Sequence, residues 1–162
     1  MRQTLLVAAA LSSWPVLPVF GQQTLPPVRI GAHIGGNMMN GPFDMYRVGG
    51  ELVIPVSARL AISPAVSRFL DGAQWEFSAA LRYRPFGSRE GSSPLYLGFG
   101  AAGVRWETVG TAYDLVITGF ELPKGRLRPY GELQFLGLIF SRVDPSQDFG
   151  VQAHAGMTWA VH

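Results

Sequence analysis

The segment Phe149–His162, FGVQAHAGMTWAVH, alternates an apolar residue with a small or polar one along nearly its whole length. Because successive side chains of an extended strand point to opposite sides, this pattern predicts a strand with one apolar face and one polar face. As a free edge, such a strand would promote aggregation, since its backbone amides and carbonyls would be unpaired. We therefore expect it to pair with the first strand and to close a sheet into a barrel.

Seven further segments of the same kind precede it, separated by clusters of Gly, Pro, Asp and Ser that mark turns. They span residues 28–37, 46–57, 59–70, 74–84, 94–107, 112–122 and 127–140. The alternation slips near 101–103, which predicts a bulge, and segment 112–122 is too irregular to show which side chains share a face. Strands of membrane barrels need about 9 to 11 residues, so the spacing fits eight of them.

Residues 1–21 are expected to be a cleaved signal peptide and not part of the fold. Arg2 precedes an apolar run that leads into small residues, as in secretory signals. Pro15 and Pro18 interrupt the run, which argues against a membrane-spanning helix. The remaining residues, 22–162, are predicted to form one β-barrel domain.

The composition argues against several classes of protein. The sequence has no cysteine, so it offers neither a disulfide nor an acylated cysteine. Its 13 basic and 11 acidic side chains give a formal net charge of +2, too weak a field to predict nucleic-acid binding. We therefore expect no nucleic-acid partner. We also expect no cofactor.

Two features indicate which face of the strands points outward. The polar faces consist mainly of Gly, Ala and Ser with a few Arg and Glu, which suits the narrow interior of an eight-stranded barrel. The aromatic residues lie near strand ends, as in the two interfacial belts of membrane barrels. One predicted belt contains Tyr46, Trp75, Trp106, Tyr113 and Phe149, and the other contains Tyr83, Phe86, Tyr96, Phe120, Tyr130 and Trp159. The apolar faces are therefore predicted to contact lipid.

The stretches GGELVIPVSARLAISPAVSRFL (49–70), WEFSAALRYRPFG (75–87) and PLYLGFGAAGV (94–104) resemble the small eight-stranded outer-membrane β-barrels of the OmpA and OmpX type. The resemblance is one of pattern and covers residues 28–162. It implies an all-β fold, an eight-stranded antiparallel up-and-down transmembrane β-barrel in the outer membrane of a diderm bacterium, with both termini in the periplasm. Such barrels commonly end on an aromatic residue, whereas this sequence ends on Ala160, Val161 and His162.

Eight charged side chains fall on the polar faces and are predicted to lie in the lumen. They are Arg29, Arg47, Glu51, Glu76, Arg82, Arg84, Arg128 and Glu132. An unpaired charge inside a barrel is costly, whereas arginines bridged by glutamates are tolerated and fix the strand register. We predict a structural charge network that plugs the bore, with a selective pore as the alternative.

His33 and His154 lie on the polar faces of the first and last strands, which are predicted neighbours. Two histidines facing each other are compatible with a metal site or a general base, but the pattern supplies no third ligand or convergent carboxylate. We interpret them as hydrogen-bonded lumen residues of unknown role, and we predict no metal site. No Ser-His-Asp order stands out, so no catalytic residue is predicted either.

The sequence thus predicts a non-enzymatic integral outer-membrane barrel with a structural or surface-interaction role and a polar, plugged lumen. Two alternatives stay open: a narrow channel for small solutes, and a soluble periplasmic lipocalin-like barrel that binds an apolar ligand. The expected partners are outer-membrane lipids, with lipopolysaccharide as a further candidate, and the outer-membrane assembly machinery. The oligomeric state is left open.

Overall fold

The computed structural model describes residues 25–38, 44–72, 74–86, 94–106, 109–122, 125–141 and 149–161. The strands are β1 (Arg29–Asn37), β2 (Asp44–Pro55), β3 (Leu60–Phe69), β4 (Trp75–Tyr83), β5 (Leu95–Trp106), β6 (Val109–Glu121), β7 (Leu127–Ser141) and β8 (Phe149–Ala160). Consecutive strands pair antiparallel, and β1 pairs with β8 to close the barrel. The predicted eight-stranded barrel is therefore confirmed. The expected signal peptide, 1–21, lies outside the described residues.

The terminal segment closes the barrel, as its alternation predicts. Arg29 lies opposite Ala160 and Asn37 lies opposite Gln152, and the register between these pairs is uninterrupted. On its other side β8 pairs with β7 over eleven consecutive positions, from Leu127 opposite Trp159 to Gly137 opposite Phe149. Hydrogen bonds on both sides leave β8 without a free edge.

The barrel has two ends, which we call the near rim and the far rim. β1 begins and β8 ends at the near rim, which also holds the turns between β2 and β3 and between β6 and β7. In the second of these turns Gly125 has a φ of 73°, a left-handed conformation that glycine adopts without steric cost. At the far rim β3 ends at Phe69 and β4 begins at Trp75. No helix in the described part of the chain is long and apolar enough to cross a membrane.

Large apolar side chains point out of the barrel, and most charged ones point into it. In β4, Phe77 and Leu81 are 54% and 47% exposed, whereas Glu76 and Arg82 are only 3% and 9% exposed. The same alternation holds in β1, where Ile30 and Ile34 are exposed, and in β8. The predicted orientation of the two faces is confirmed.

Strand β5 does not contain the bulge predicted near residues 101–103. Its register is continuous with β4 and with β6. Alanine and glycine are small enough to occur on either face of a strand. A run of them therefore interrupts the apolar–polar alternation of the sequence, although the strand itself continues without a bulge. A register shift lies instead between β6 and β7 at Ala112 and Tyr113, and another lies in β1 between Gly35 and Asn37.

The sequence did not show which side chains of β6 point inward, and the structure does. Leu115 and Ile117 are buried inside, whereas Asp114, Val116 and Phe120 are exposed outside. The inner residues belong to a buried apolar cluster on the β4–β7 side of the lumen, which consists of Ala80, Tyr96, Ala102, Leu115, Ile117 and Leu136. The predicted polar lumen is therefore polar only in part, because apolar side chains fill its β4–β7 side.

The aromatic belts are present, but three of the residues predicted for them point inward. The outward members are Tyr46, Trp75 and Phe149 at the far rim and Tyr83, Phe86, Phe120 and Trp159 at the near rim, all exposed. Tyr96 and Tyr130 are buried in the lumen, and Tyr113 packs against the inner apolar cluster. Their strand phase, and not their distance from a strand end, decides their direction. The side chain of Trp106 lies outside the described residues.

Candidate functional site

The structure places the predicted lumen residues inside the barrel. Seven of the eight charged side chains are buried, namely Arg29, Arg47, Glu51, Glu76, Arg82, Arg128 and Glu132, and Arg84 is half-buried. His33 and His154 are buried as well. Apart from Arg128, these residues fall into three ion-paired clusters and one histidine pair, arranged along the bore.

The central cluster joins one arginine to two glutamates. Arg82 Nη2 donates to Glu51 Oε2 at 2.6 Å and to Glu132 Oε2 at 3.1 Å. The contacts connect β4 with β2 on one side and with β7 on the other, across the bore. Because one guanidinium contacts two carboxylates, the cluster carries a net charge of −1 if all three groups are ionised.

Polar and aromatic groups surround this cluster. The Tyr96 hydroxyl donates to Glu132 Oε2 at 2.8 Å, and Gln134 Nε2 donates to Glu132 Oε1 at 2.6 Å. The guanidinium of Arg82 lies 5.0 Å from the centre of the Tyr96 ring and 5.8 Å from that of Tyr130, within the range of cation–π attraction. The two tyrosines expected in an interfacial belt thus help to hold the central ion pairs.

The far-rim cluster is built around Arg47, which is completely buried. Its guanidinium forms an ion pair with Glu76 and donates to Asn37 Oδ1 at 2.7 Å. The same group lies 4.7 Å from the centre of the Phe69 ring. Arg47 therefore links β2 to three other strands, β1, β3 and β4, near the far rim.

The near-rim cluster contains a glutamate that the sequence reasoning missed. Glu121 forms ion pairs with Arg84 and, at 3.7 Å, with Arg29. It also accepts a hydrogen bond from the Thr158 hydroxyl at 3.1 Å. Arg29 Nε donates to the same hydroxyl at 3.0 Å, and its Nη2 donates to the Arg126 carbonyl at 2.8 Å. Glu121 ends the strand whose facing was left open, so its inward direction could not be read.

His33 and His154 face each other across the β1–β8 seam. Their ring centres are 5.2 Å apart. His33 Nε2 shares a hydrogen bond of 2.8 Å with Ser67 Oγ, and His154 Nδ1 lies 3.5 Å from Gln134 Nε2. The contact between a serine and a histidine from different strands was not visible in the sequence, since the two residues are 34 positions apart.

The space beside the histidines limits what this arrangement can do chemically. The central cavity lined by His33, Ser67, His154 and the Arg82 cluster has free space of about 10 Å³. That volume holds about one water molecule, so an ester or acyl substrate has no room beside the Ser67–His33 pair. In the described residues no group of three or more His, Asp or Glu side chains is placed to hold a metal.

The geometry so far defines a class of fold, a closed eight-stranded antiparallel barrel that is apolar outside and rich in ion pairs inside. Among solved structures the chain is similar to the N-terminal β-barrel domain of Pseudomonas aeruginosa OprF, with a TM-score of 0.65 and 12% sequence identity. The match covers 86% of this chain and 100% of that one. No protein-family profile and no curated protein matches the sequence. The predicted resemblance to small outer-membrane barrels is thus confirmed at the level of the fold.

Proposed function

We propose that this protein is an integral β-barrel of a bacterial outer membrane, that its role is structural or in surface interaction, and that it is not an enzyme. One observation carries the proposal: large apolar side chains cover the outside, while most of the arginines and glutamates of the strands are buried inside. A soluble barrel places its charges in water and its apolar residues in its core. Exposed apolar patches of this extent mark a surface made for another apolar phase, and lipid is such a phase.

The aromatic residues support the same placement. Trp75 and Tyr46 are exposed near the far rim, and Trp159 and Tyr83 are exposed near the near rim. Aromatic side chains at the two ends of an apolar band are typical of membrane interfaces. In the proposed orientation the near rim, where β1 begins and β8 ends, faces the periplasm, as the resemblance to OmpA- and OmpX-type barrels implies. Both ends of the barrel chain are then periplasmic.

The charge network is proposed to close the lumen. Arg47 and Arg82 each bridge strands across the bore, and the space left at the centre is about one water molecule in volume. A narrow channel for small solutes would need these ion pairs to separate. The packing therefore favours a structural plug over permeation, and the channel stays the second candidate.

Two measurements test the proposal. We expect the protein to fractionate with outer membranes and to migrate differently on gels when heated and unheated, as folded membrane barrels do. Release by osmotic shock or salt would contradict the membrane placement and support the soluble barrel. Stable single-channel currents in planar bilayers would contradict the plug while leaving the membrane placement intact.

A further inference from the structure

Two arginines interrupt the apolar outer surface near the far rim. Among the strand side chains that the structure describes, the outward ones that carry a charge are Arg68, Arg105 and Asp114. Arg68 is the penultimate residue of β3 and Arg105 is the penultimate residue of β5, and both strands end at the far rim. Both side chains are exposed.

The strand register places a tryptophan between these arginines. Arg68 lies opposite Trp75 in the β3–β4 pair, and Trp75 lies opposite Arg105 in the β4–β5 pair. Residues directly opposite in antiparallel strands point to the same face, so the three side chains form one outward row. The Arg68 guanidinium lies 5.8 Å from the centre of the Trp75 ring. Because neighbouring strands are about 4.8 Å apart, the two arginine backbones are separated by roughly 10 Å.

The depth of this row determines which ligands can reach it. An arginine on the lipid face costs about 2 to 4 kcal/mol at the middle of a bilayer but only about 0 to 1 kcal/mol near the interface. An exposed tryptophan at a strand end is typical of the headgroup level. If the barrel spans the outer membrane, Arg68 and Arg105 therefore lie among lipid headgroups and not among acyl chains.

The chemistry of the row fits phosphate. In the described residues neither Arg68 nor Arg105 belongs to an ion pair, unlike four arginines on the inner face, Arg29, Arg47, Arg82 and Arg84. Asp71, in the turn after β3, is the described acidic residue closest to Arg68 in sequence, and it is exposed. A guanidinium presents paired N–H donors that match two phosphate oxygens, and such charge-assisted bonds are stronger where water is partly excluded.

We propose that Arg68, Trp75 and Arg105 form a binding site for a membrane lipid whose headgroup carries two phosphates, such as the glycolipid part of lipopolysaccharide. Each guanidinium binds one phosphate, and the indole packs against the sugar or the first part of the acyl chains. The site rests on the proposed outer-membrane placement, because only that placement brings the row to an outer headgroup layer.

The near rim supplies a matched control. Arg59 in the β2–β3 turn and Arg126 in the β6–β7 turn are exposed as well. They lie in turns beyond the strand ends and not in an outward row of the barrel wall. Replacing both by glutamine removes the same charge as replacing Arg68 and Arg105, but at the opposite end of the barrel.

The experiment uses the full chain, refolded in detergent, and titrates it with bisphosphorylated lipid A under native mass spectrometry. Parallel titrations use the same lipid without its phosphates, and inorganic pyrophosphate as a soluble source of the same chemistry. The proteins compared are the wild type, R68Q/R105Q and R59Q/R126Q. Heat-modifiable gel mobility reports that each is folded. If the double variant R68Q/R105Q does not fold, the single variants R68Q and R105Q replace it.

We expect R68Q/R105Q to bind bisphosphorylated lipid A about tenfold more weakly than the wild type, and each single variant about threefold more weakly. R59Q/R126Q and the wild type are expected to bind alike, and the lipid without phosphates is expected to bind weakly to all. Equal losses in both double variants, or no loss in R68Q/R105Q, would overturn the site. Pyrophosphate binding as tight as that of lipid A would overturn its assignment to a lipid. A wild-type chain that does not insert into vesicles contradicts the proposed function itself, and this is measured before any titration.

Discussion

Replacing Arg82 by methionine tests whether the central ion pairs stabilise the barrel. The substitution keeps a long side chain but leaves Glu51 and Glu132 buried without the guanidinium that contacts both, at 2.6 and 3.1 Å. Charges about 4 Å apart attract by about 4 kcal/mol at an effective dielectric constant of 20, and desolvation offsets part of that gain. Removing one partner of a buried ion pair costs about 3 to 5 kcal/mol. We expect R82M to lower the free energy of unfolding by about 4 kcal/mol.

The assay is equilibrium unfolding by urea in lipid vesicles, followed by tryptophan fluorescence and by gel mobility without heating. Arg59→Met, in an exposed turn, is the matched control and is expected to change the free energy of unfolding by less than about 0.5 kcal/mol. The triple variant R82M/E51Q/E132Q removes the uncompensated charges and is expected to recover at least half of the loss. A loss below about 1 kcal/mol in R82M, or a triple variant no more stable than R82M, would refute the reasoning.

Three further outcomes are expected. Asp114 is exposed on the outer face, where it would lie against lipid. We therefore expect D114V to raise the free energy of unfolding in vesicles by about 1 kcal/mol, and to change it little in detergent, where water reaches the outer face. A methyl group on Gly119 would overlap the Tyr96 ring, so G119A should cost about 1 to 3 kcal/mol in urea unfolding, whereas G110A, whose nearest neighbour is 3.8 Å away, should cost less than about 0.5 kcal/mol. In a variant that retains Trp75 as its single tryptophan, brominated lipids should quench the tryptophan fluorescence more strongly than acrylamide does. Stronger quenching by acrylamide would place the outer face around Trp75 in water.

The facing of a strand could be predicted where its two sides differ in chemistry. In β4, apolar Phe77 and Leu81 alternate with charged Glu76 and Arg82, so only one phase was reasonable, and the structure has that phase. The same contrast exists in β8, which also made its role in closing the barrel visible. Period-two patterns carry this information because a shift of one residue would turn every charge toward lipid.

Where both faces of a strand are apolar, the sequence did not show which face points into the barrel. In β6, Leu115 and Ile117 point inward, and Val116 and Phe120 point outward. Hydropathy does not separate these sets, and so the inward direction of Glu121 at the strand end was missed too. Contacts between distant strands, such as that of His33 with Ser67, depend on three-dimensional registers that no single-strand pattern contains.

Tyr96 and Tyr130 show a different limit. A tyrosine near a strand end satisfies its hydroxyl equally well at a membrane interface or beside a buried carboxylate. Position along the strand favoured the interface for both, and strand phase placed both in the lumen. The alternation in β7 already put Tyr130 on the same face as Glu132. This alternation predicted the direction of Tyr130 correctly, whereas its position near a strand end did not.

The lumen contacts that join the first and last strands have a consequence for how the barrel forms. Arg29 reaches Thr158 across 129 positions of sequence, and His33 meets His154 at the same seam. In a curled sheet whose first and last strands have not yet paired, these polar side chains would lack their partners while the interior loses water. We therefore expect partly assembled barrels to be poorly populated, and the barrel wall to fold and unfold as one cooperative unit.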